Sequence, residues 1–382
     1  MRIMLLEMKK IWNVRLLAAI AIICVLFYII LMSFYIANYP NGHQFTEDAE
    51  FSTYMVQKYG ATLEEDEFAD LLKIKEGLNA ELEQIIKDNP VFAEAGITSY
   101  ADYERIRQGG STEEEEKRAF MLFGEEYGFI GFKLQSLGII IENYERRAEW
   151  IGVRMKHYPE NSAVYKRLSE IRDTGEYNNI MDYQALENTK TYLTMLTVLS
   201  ILCNLILVSP LVVTDRSRKT NLLQYTARKG RRILTSQLAA IIASSLLMTT
   251  MLLGVFGFIY SGLGIQIYWK QGLTSFFSSE TMQVPITFGQ YIILMVLLMY
   301  LLSAGAAFIS FILSRFSQNT IALIMKLLPV LAVMVFVSIT VLTNFLCMGR
   351  LWLEPAAVIL IFLLSMSAAI FVLRRERQVD VL

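Results

Sequence analysis

The chain has 382 residues, 54% of them hydrophobic, and a mean hydropathy of +0.41. That balance excludes an ordinary soluble domain of this size and places the chain in a bilayer. The formal net charge of −1 hides an asymmetry, since segment 39–190 holds 17 of the 35 bases but 30 of the 36 acids, a local balance of −13.

Cys24, Cys203 and Cys347 all lie in or beside apolar runs, so no disulfide framework is expected outside the membrane. With only His43 and His157 as histidines, a structural zinc site has no basis either.

A membrane span needs about 20 mostly apolar residues, and six stretches qualify: 16–37, 192–213, 233–260, 291–313, 320–346 and 351–373. Before the first, residues 1–15 mix Ile3, Leu6, Ile11 and Trp12 with Arg2, Lys9, Lys10 and Arg15, the pattern of a helix lying at a membrane interface. A cleaved signal peptide is the competing reading. The apolar run is long for an h-region, and no small-x-small cleavage site follows it.

Segment 39–190 is polar enough to be solvated and helical in pattern. Thr62 with Glu65 reads as a capping box, and Phe68, Leu71, Leu72, Leu78, Leu82, Ile85 and Ile86 follow at helical spacing until Asp88-Asn89-Pro90. Ser111 with Glu114 reads as a second box. The acidic run Glu113 to Glu116 then suits the first turn of a helix rather than a calcium site. A longer helix is predicted over 129–153. The whole segment is expected to be a small external helical domain with its own core.

Between the second and third spans, residues 214–232 carry seven bases against one acid, Asp215. A Lys/Arg excess between neighbouring spans marks the cytoplasmic side, and with the acidic segment outside, both termini are expected to be cytoplasmic. Leu222, Leu223 and Tyr225 interrupt the bases, so a short helix here would show a small apolar face within a cationic collar, suited to an acidic groove. An ordinary positive-inside loop is the alternative. Beyond the third span, segment 262–290 with Trp269, Phe276 and Phe277 suits an interfacial stretch lying on the membrane. Lys326, inside the fifth span, is near enough to the cytoplasmic end to snorkel, with a role in a substrate path as the alternative near Pro329.

The chain contains no G-x-x-x-x-G-K-[ST] loop, no H-E-x-x-H helix and no G-x-S-x-G elbow. Any ATP chemistry would come from a partner.

An interfacial N-terminal helix, one span, a large helical insertion and five more spans with a basic loop after the second together resemble an ABC-2-type transporter permease subunit. The closest likeness is to the Gram-positive group with a large external domain between the first two spans. The matching loop residues are Asp215, the pair Leu222 and Leu223, Thr226, and the basic turn Arg228, Lys229, Gly230 and Arg231. Asp215 stands where the group usually has glutamate, with no glycine soon after it. Residues 309–329 are similar to the group's turn between the fourth and fifth spans.

The fold class expected is an all-α polytopic membrane protein, six transmembrane helices with a helical extracellular domain inserted between the first two. Its parts would be an interfacial helix (1–15), span 1 (16–38), the external domain (39–190), span 2 (191–213), a coupling loop (214–232), spans 3 to 6 (233–373) and a cytoplasmic tail (374–382). The resemblance implies a permease in the cell membrane, not itself an enzyme. It would pair with a second permease subunit, identical or similar, and with cytoplasmic ABC ATPase subunits that bind ATP and Mg. No cofactor is expected in this chain and no nucleic acid as partner. Leu222, Leu223, Tyr225, Arg228, Lys229 and Arg231 would form the ATPase-coupling site. The rival reading is an ATP-driven mechanical or sensing complex that acts on an extracellular partner without transport.

Overall fold

The computed structural model describes residues 2–42, 45–107, 112–117, 128–217, 233–278, 280–344 and 353–378. Among these the chain is almost wholly helical and forms no strand beyond isolated bridges such as Thr62 with Asn179 and Gly272 with Thr287. It divides into two compact units. A membrane unit takes Met1–Tyr39, Glu187–Gln266 and Gly289–Leu382, and a helical unit takes Pro40–Leu186 and Ile267–Phe288.

The membrane unit opens with α1 (Arg2–Ile11), which keeps Lys9 and Lys10 in its last turn. Asn13 caps α2 (Val14–Phe27) by accepting from the Arg15 amide. A π-helical turn, Tyr28–Met32, leads into α3 (Ser33–Ala37). This first span is apolar all round and mostly uncovered by protein, with Ile22, Val25, Ile29 and Ile30 exposed, as a lipid-facing helix requires.

The helical unit begins with α4 (Thr46–Tyr59) and α5 (Glu65–Asp88). The capping box that starts α5 is Glu64 with Glu67, the Glu64 amide donating to Glu67 Oε2 at 2.8 Å, and not Thr62 with Glu65 as the sequence suggested. Thr62 is instead drawn into the bridge with Asn179, which moves the cap two residues on. Pro90 occupies the first turn of α6 (Pro90–Glu94), where its missing N–H costs nothing, and α7 (Tyr100–Arg107) follows. Ser111, expected to cap the acidic run, lies outside the described residues. Thr112 and Glu115 form the box seen there, each bonded to the other's amide.

The predicted long helix is present as α8 (Gly128–Met155), and α9 (Ala163–Thr174) is capped by Ser162 and ended by left-handed Gly175. One core gathers Met55, Leu63, Leu71, Ile140, Tyr144 and Ile180, and a second gathers Leu82, Ile86, Phe92, Ile106 and Leu134.

The sequence placed Trp269, Phe276 and Phe277 on a membrane surface. The structure puts Phe276 inside the first of these cores, edge-on to Tyr144 at 5.3 Å, and leaves Trp269 exposed. Segment 267–288 is therefore part of the helical unit. Arg167 fastens it by donating Nε to the Met282 carbonyl at 3.0 Å while its other nitrogens hold Glu176. Gly272 approaches the Asn179 side chain so closely that no Cβ would fit there.

The remaining helices are α10 (Tyr183–Val208), α11 (Pro210–Ser217), α12 (Ile233–Ser261), α13 (Phe288–Arg315), α14 (Thr320–Thr343) and α15 (Leu353–Gln378). The second span starts nine residues before the predicted 192, because the polar turn around Asn188, Thr189 and Lys190 is helical although not apolar. Among the described residues six helices are long and apolar enough to cross a membrane. The fold is that of a helical multi-pass membrane protein.

In the membrane unit α10 is the most enclosed span. Small polar side chains join it to its neighbours: Ser200 meets Ser303 at 2.7 Å and Thr249 at 3.1 Å, and Ser310 donates to the Leu205 carbonyl at 2.8 Å. Close approach through small residues and interhelical hydrogen bonds is how helices associate where the solvent is itself hydrocarbon. Gly305 serves the same purpose between α13 and α15, where a Cβ would press on Ser365 and Phe362.

Candidate functional site

The coupling residues named from the sequence, Leu222, Leu223, Tyr225, Arg228, Lys229 and Arg231, lie outside the described residues. What the structure describes is the pair of helices that bracket them, α11 and α12, and what these helices hold.

α1 lies against α12, and Trp12 just beyond it donates Nε1 to Ser244 Oγ at 3.0 Å. Along α1, Ile3, Glu7 and Ile11 recur every four residues and share a face. Ile11 is buried, and so is Glu7. An acid on the apolar stripe of an amphipathic helix needs partners in place, and Lys10 on the same helix and Gln237 on α12 supply them.

Lys10 donates to Glu7 Oε1 at 2.9 Å and to Asp215 Oδ2 at 3.2 Å. Gln237 on α12 donates Nε2 to Glu7 Oε2 at 3.2 Å, and its Oε1 accepts from Arg315 Nη2, also at 3.2 Å. The Arg315 guanidinium lies 5.2 Å from the Phe311 ring centroid. Nearby, the Val213 amide donates to Ser314 Oγ, which donates to the Ser209 carbonyl at 2.8 Å and ties the break between α10 and α11 to the end of α13.

Two carboxylates and two cations thus converge around one neutral amide. Their charges cancel, which is the condition for burying ions at tolerable cost. Burial opposes the charge on Lys10, yet Glu7 and Asp215 hold its pKa above the usual lysine value. The arrangement links α1, α11, α12 and α13 at one end of the unit. Displacing α11 or α12 without the others would separate these partners and leave buried polar groups unpaired.

Lys10 and Asp215 were visible in the sequence as members of basic and loop segments, and Arg315 only as part of the stretch 309–329. Glu7 and Gln237 were missed. The signal at Gln237 was a single polar residue whose helical neighbours Ile233, Leu234, Ala240 and Ile241 are apolar, and at Glu7 an acid between Ile3 and Ile11.

Lys326 donates Nζ to the Phe316 carbonyl at 2.8 Å, reaching back to the turn after α13. No group of three or more His, Cys, Asp or Glu side chains converges among the described residues. The chain matches no protein family, no curated protein and no solved structure.

Proposed function

We propose that this chain is the permease subunit of an ATP-driven exporter, coupling ATP hydrolysis by a separate cytoplasmic subunit to movement of substrate across the membrane. The observation that carries the reading is the charge cluster, buried except at Lys10, joining both flanks of loop 214–232 to α1 and α13. A loop that served only to connect two spans would not need it. ATP and Mg would be bound by the partner, and a second permease subunit would complete the translocation unit. The acidic helical unit would face outward and the basic termini inward, following the charge bias of the chain.

One observation favours the rival reading of a mechanical or sensing complex. The helical unit is built from two chain segments and is therefore tethered to the ends of four spans, so force on the spans reaches it through four covalent links. In both readings the ATPase docks at the same end.

Purification of the chain from its own membranes in mild detergent should bring down an ATP-binding subunit in stoichiometric amount. The complex in sealed liposomes should hydrolyse ATP and move cargo. Recovery without any ATPase would overturn the proposal, and hydrolysis without cargo movement across a range of candidate substrates would favour the mechanical reading.

A further inference from the structure

Helices α13, α14 and α15 leave a cleft of about 520 Å³ between them, lined among others by Ile312, Pro329, Val333, Leu364, Ser365 and Ala368. Its wall is hydrocarbon. The one polar side chain in it, Ser365, donates its hydroxyl to the Phe362 carbonyl at 2.8 Å. Pro329, inside α14, removes a helix hydrogen bond at the cleft. Val333 and Leu364 are each 61% exposed, so the cleft opens sideways from the span bundle, where the surrounding medium is lipid.

Two cations lie in helical register with this lining, beyond the residues that form the wall. Lys326 precedes Pro329, Val330 and Val333 by three, four and seven residues and so lies on the same face of α14. Its bond to Phe316 holds the ammonium at the turn after α13. Arg375 follows Leu364 and Ala368 by eleven and seven residues, which puts it on the cleft-facing stripe of α15, and it is exposed. Lys326 belongs to the end of the unit that carries α1, because it bonds the turn after α13, and Arg315 at the end of α13 reaches Gln237 and through it Glu7.

We propose that the cleft binds an acidic phospholipid, one acyl chain lying between α13, α14 and α15 and the phosphate held by Lys326 and Arg375. A soluble polar ligand would meet no free donor along the walls. A lipid with no net headgroup charge would leave Lys326 and Arg375 uncompensated. A second copy docking through α13 and α14 would bring no acid to these cations, since neither helix carries one along its length.

The test uses the full chain in nanodiscs of equal phosphatidylglycerol and phosphatidylcholine with identical acyl chains, followed by native mass spectrometry of the lipid retained. One phosphatidylglycerol per chain should persist, with a preference over phosphatidylcholine of roughly thirtyfold from two cations at the membrane surface. The Lys326→Gln/Arg375→Gln variant should lose the preference. Arg374→Gln, which removes an equal charge from another face of α15, should keep it. Ala368→Trp, which fills the cleft, should lose the retained lipid altogether while its helicity by circular dichroism is unchanged. Equal retention of the two lipids by the wild type, or a preference that survives in Lys326→Gln/Arg375→Gln, would overturn the assignment. So would an Ala368→Trp variant that turns a dimer into a monomer with the lipid count unmoved, which would show that the cleft is filled by a second copy.

Discussion

Lys10 and Asp215 lie 205 residues apart in the chain and meet at 3.2 Å. The contact pins the N-terminal helix to the residue that opens the basic loop, and Gln237 and Arg315 extend it to α12 and α13. In this account the cluster makes the end of the bundle move as one piece.

The first prediction follows from its charge balance. Arg315→Gln leaves buried Glu7 and Asp215 with one cation fewer, and removing one member of a buried ion set costs about 3–5 kcal/mol. Glu7→Gln should be destabilising on the same grounds. The double variant restores neutrality and should be milder than the sum of the two by at least 1 kcal/mol, within the range about 0.5–3 kcal/mol found for coupled neighbours. Thermal unfolding in detergent reads the difference, and additive losses would show that the four charges do not act together.

A second prediction concerns the packing of the first two spans. Cys24 Sγ and Cys203 Sγ stand 3.7 Å apart with both thiols free. A membrane-permeant oxidant should join them within one chain, and a non-reducing gel after proteolysis between residues 41 and 186 should show the fragments still linked. Separate fragments would contradict this placement of α2 against α10.

The helical unit should respond to pH through Asp182. Its Oδ1 accepts from the Gln184 amide at 2.9 Å, while Oδ2 is buried with no partner. Burial above all, and then the neighbouring Asp48 charge, pushes its pKa up to about 7. The unfolded chain ionises near the ordinary aspartate value of about 3.9. Its contribution is therefore fully present below that pH and is lost as the pH rises toward 7, a total of about 4 kcal/mol. Hydrogen exchange around residues 181–187 should quicken between pH 5 and 8 in the wild type. In Asp182→Asn, which stays neutral, exchange corrected for its intrinsic pH dependence should be flat. A flat wild-type profile would rule this out.

Phe276 supplies the next test, because it comes from a segment that the sequence reading assigned to the membrane surface. Buried at 1% exposure and edge-on to Tyr144, it should cost about 3–5 kcal/mol on truncation to Ala. The loss should appear as reduced exchange protection in α5 and α8. Trp269→Ala, at an exposed position, should change stability by less than about 0.5 kcal/mol. Equal effects at the two positions would mean that 267–288 does not belong to this core.

The six spans were legible because an apolar run of that length has few other uses, and α8 was legible from its periodicity. Element ends were not. Thr62 carries a capping side chain but its backbone is held in the bridge with Asn179, and Asn188 to Lys190 are polar yet helical, so composition stops the second span short of where the hydrogen bonds do. The home of Phe276 could not be read at all, since an aromatic residue between two spans suits a membrane interface and a protein core equally well. Of the candidate site, the sequence showed the basic loop and Asp215. It hid Glu7 and Gln237, whose meaning depends on a contact across 230 residues.

The central claim is that loop 214–232 is where an ATPase subunit docks. If Leu222, Leu223 and Tyr225 insert into a groove on that subunit, their joint replacement by Ser removes about 1.5–3 kcal/mol per fully buried side chain, an upper limit given non-additivity. The bases that set orientation remain, so membrane abundance should be normal. The decisive measurement is co-purification of the ATPase with the Leu222→Ser/Leu223→Ser/Tyr225→Ser variant at wild-type abundance. Recovery should fall at least tenfold, and undiminished recovery would return the stretch to an ordinary connecting loop.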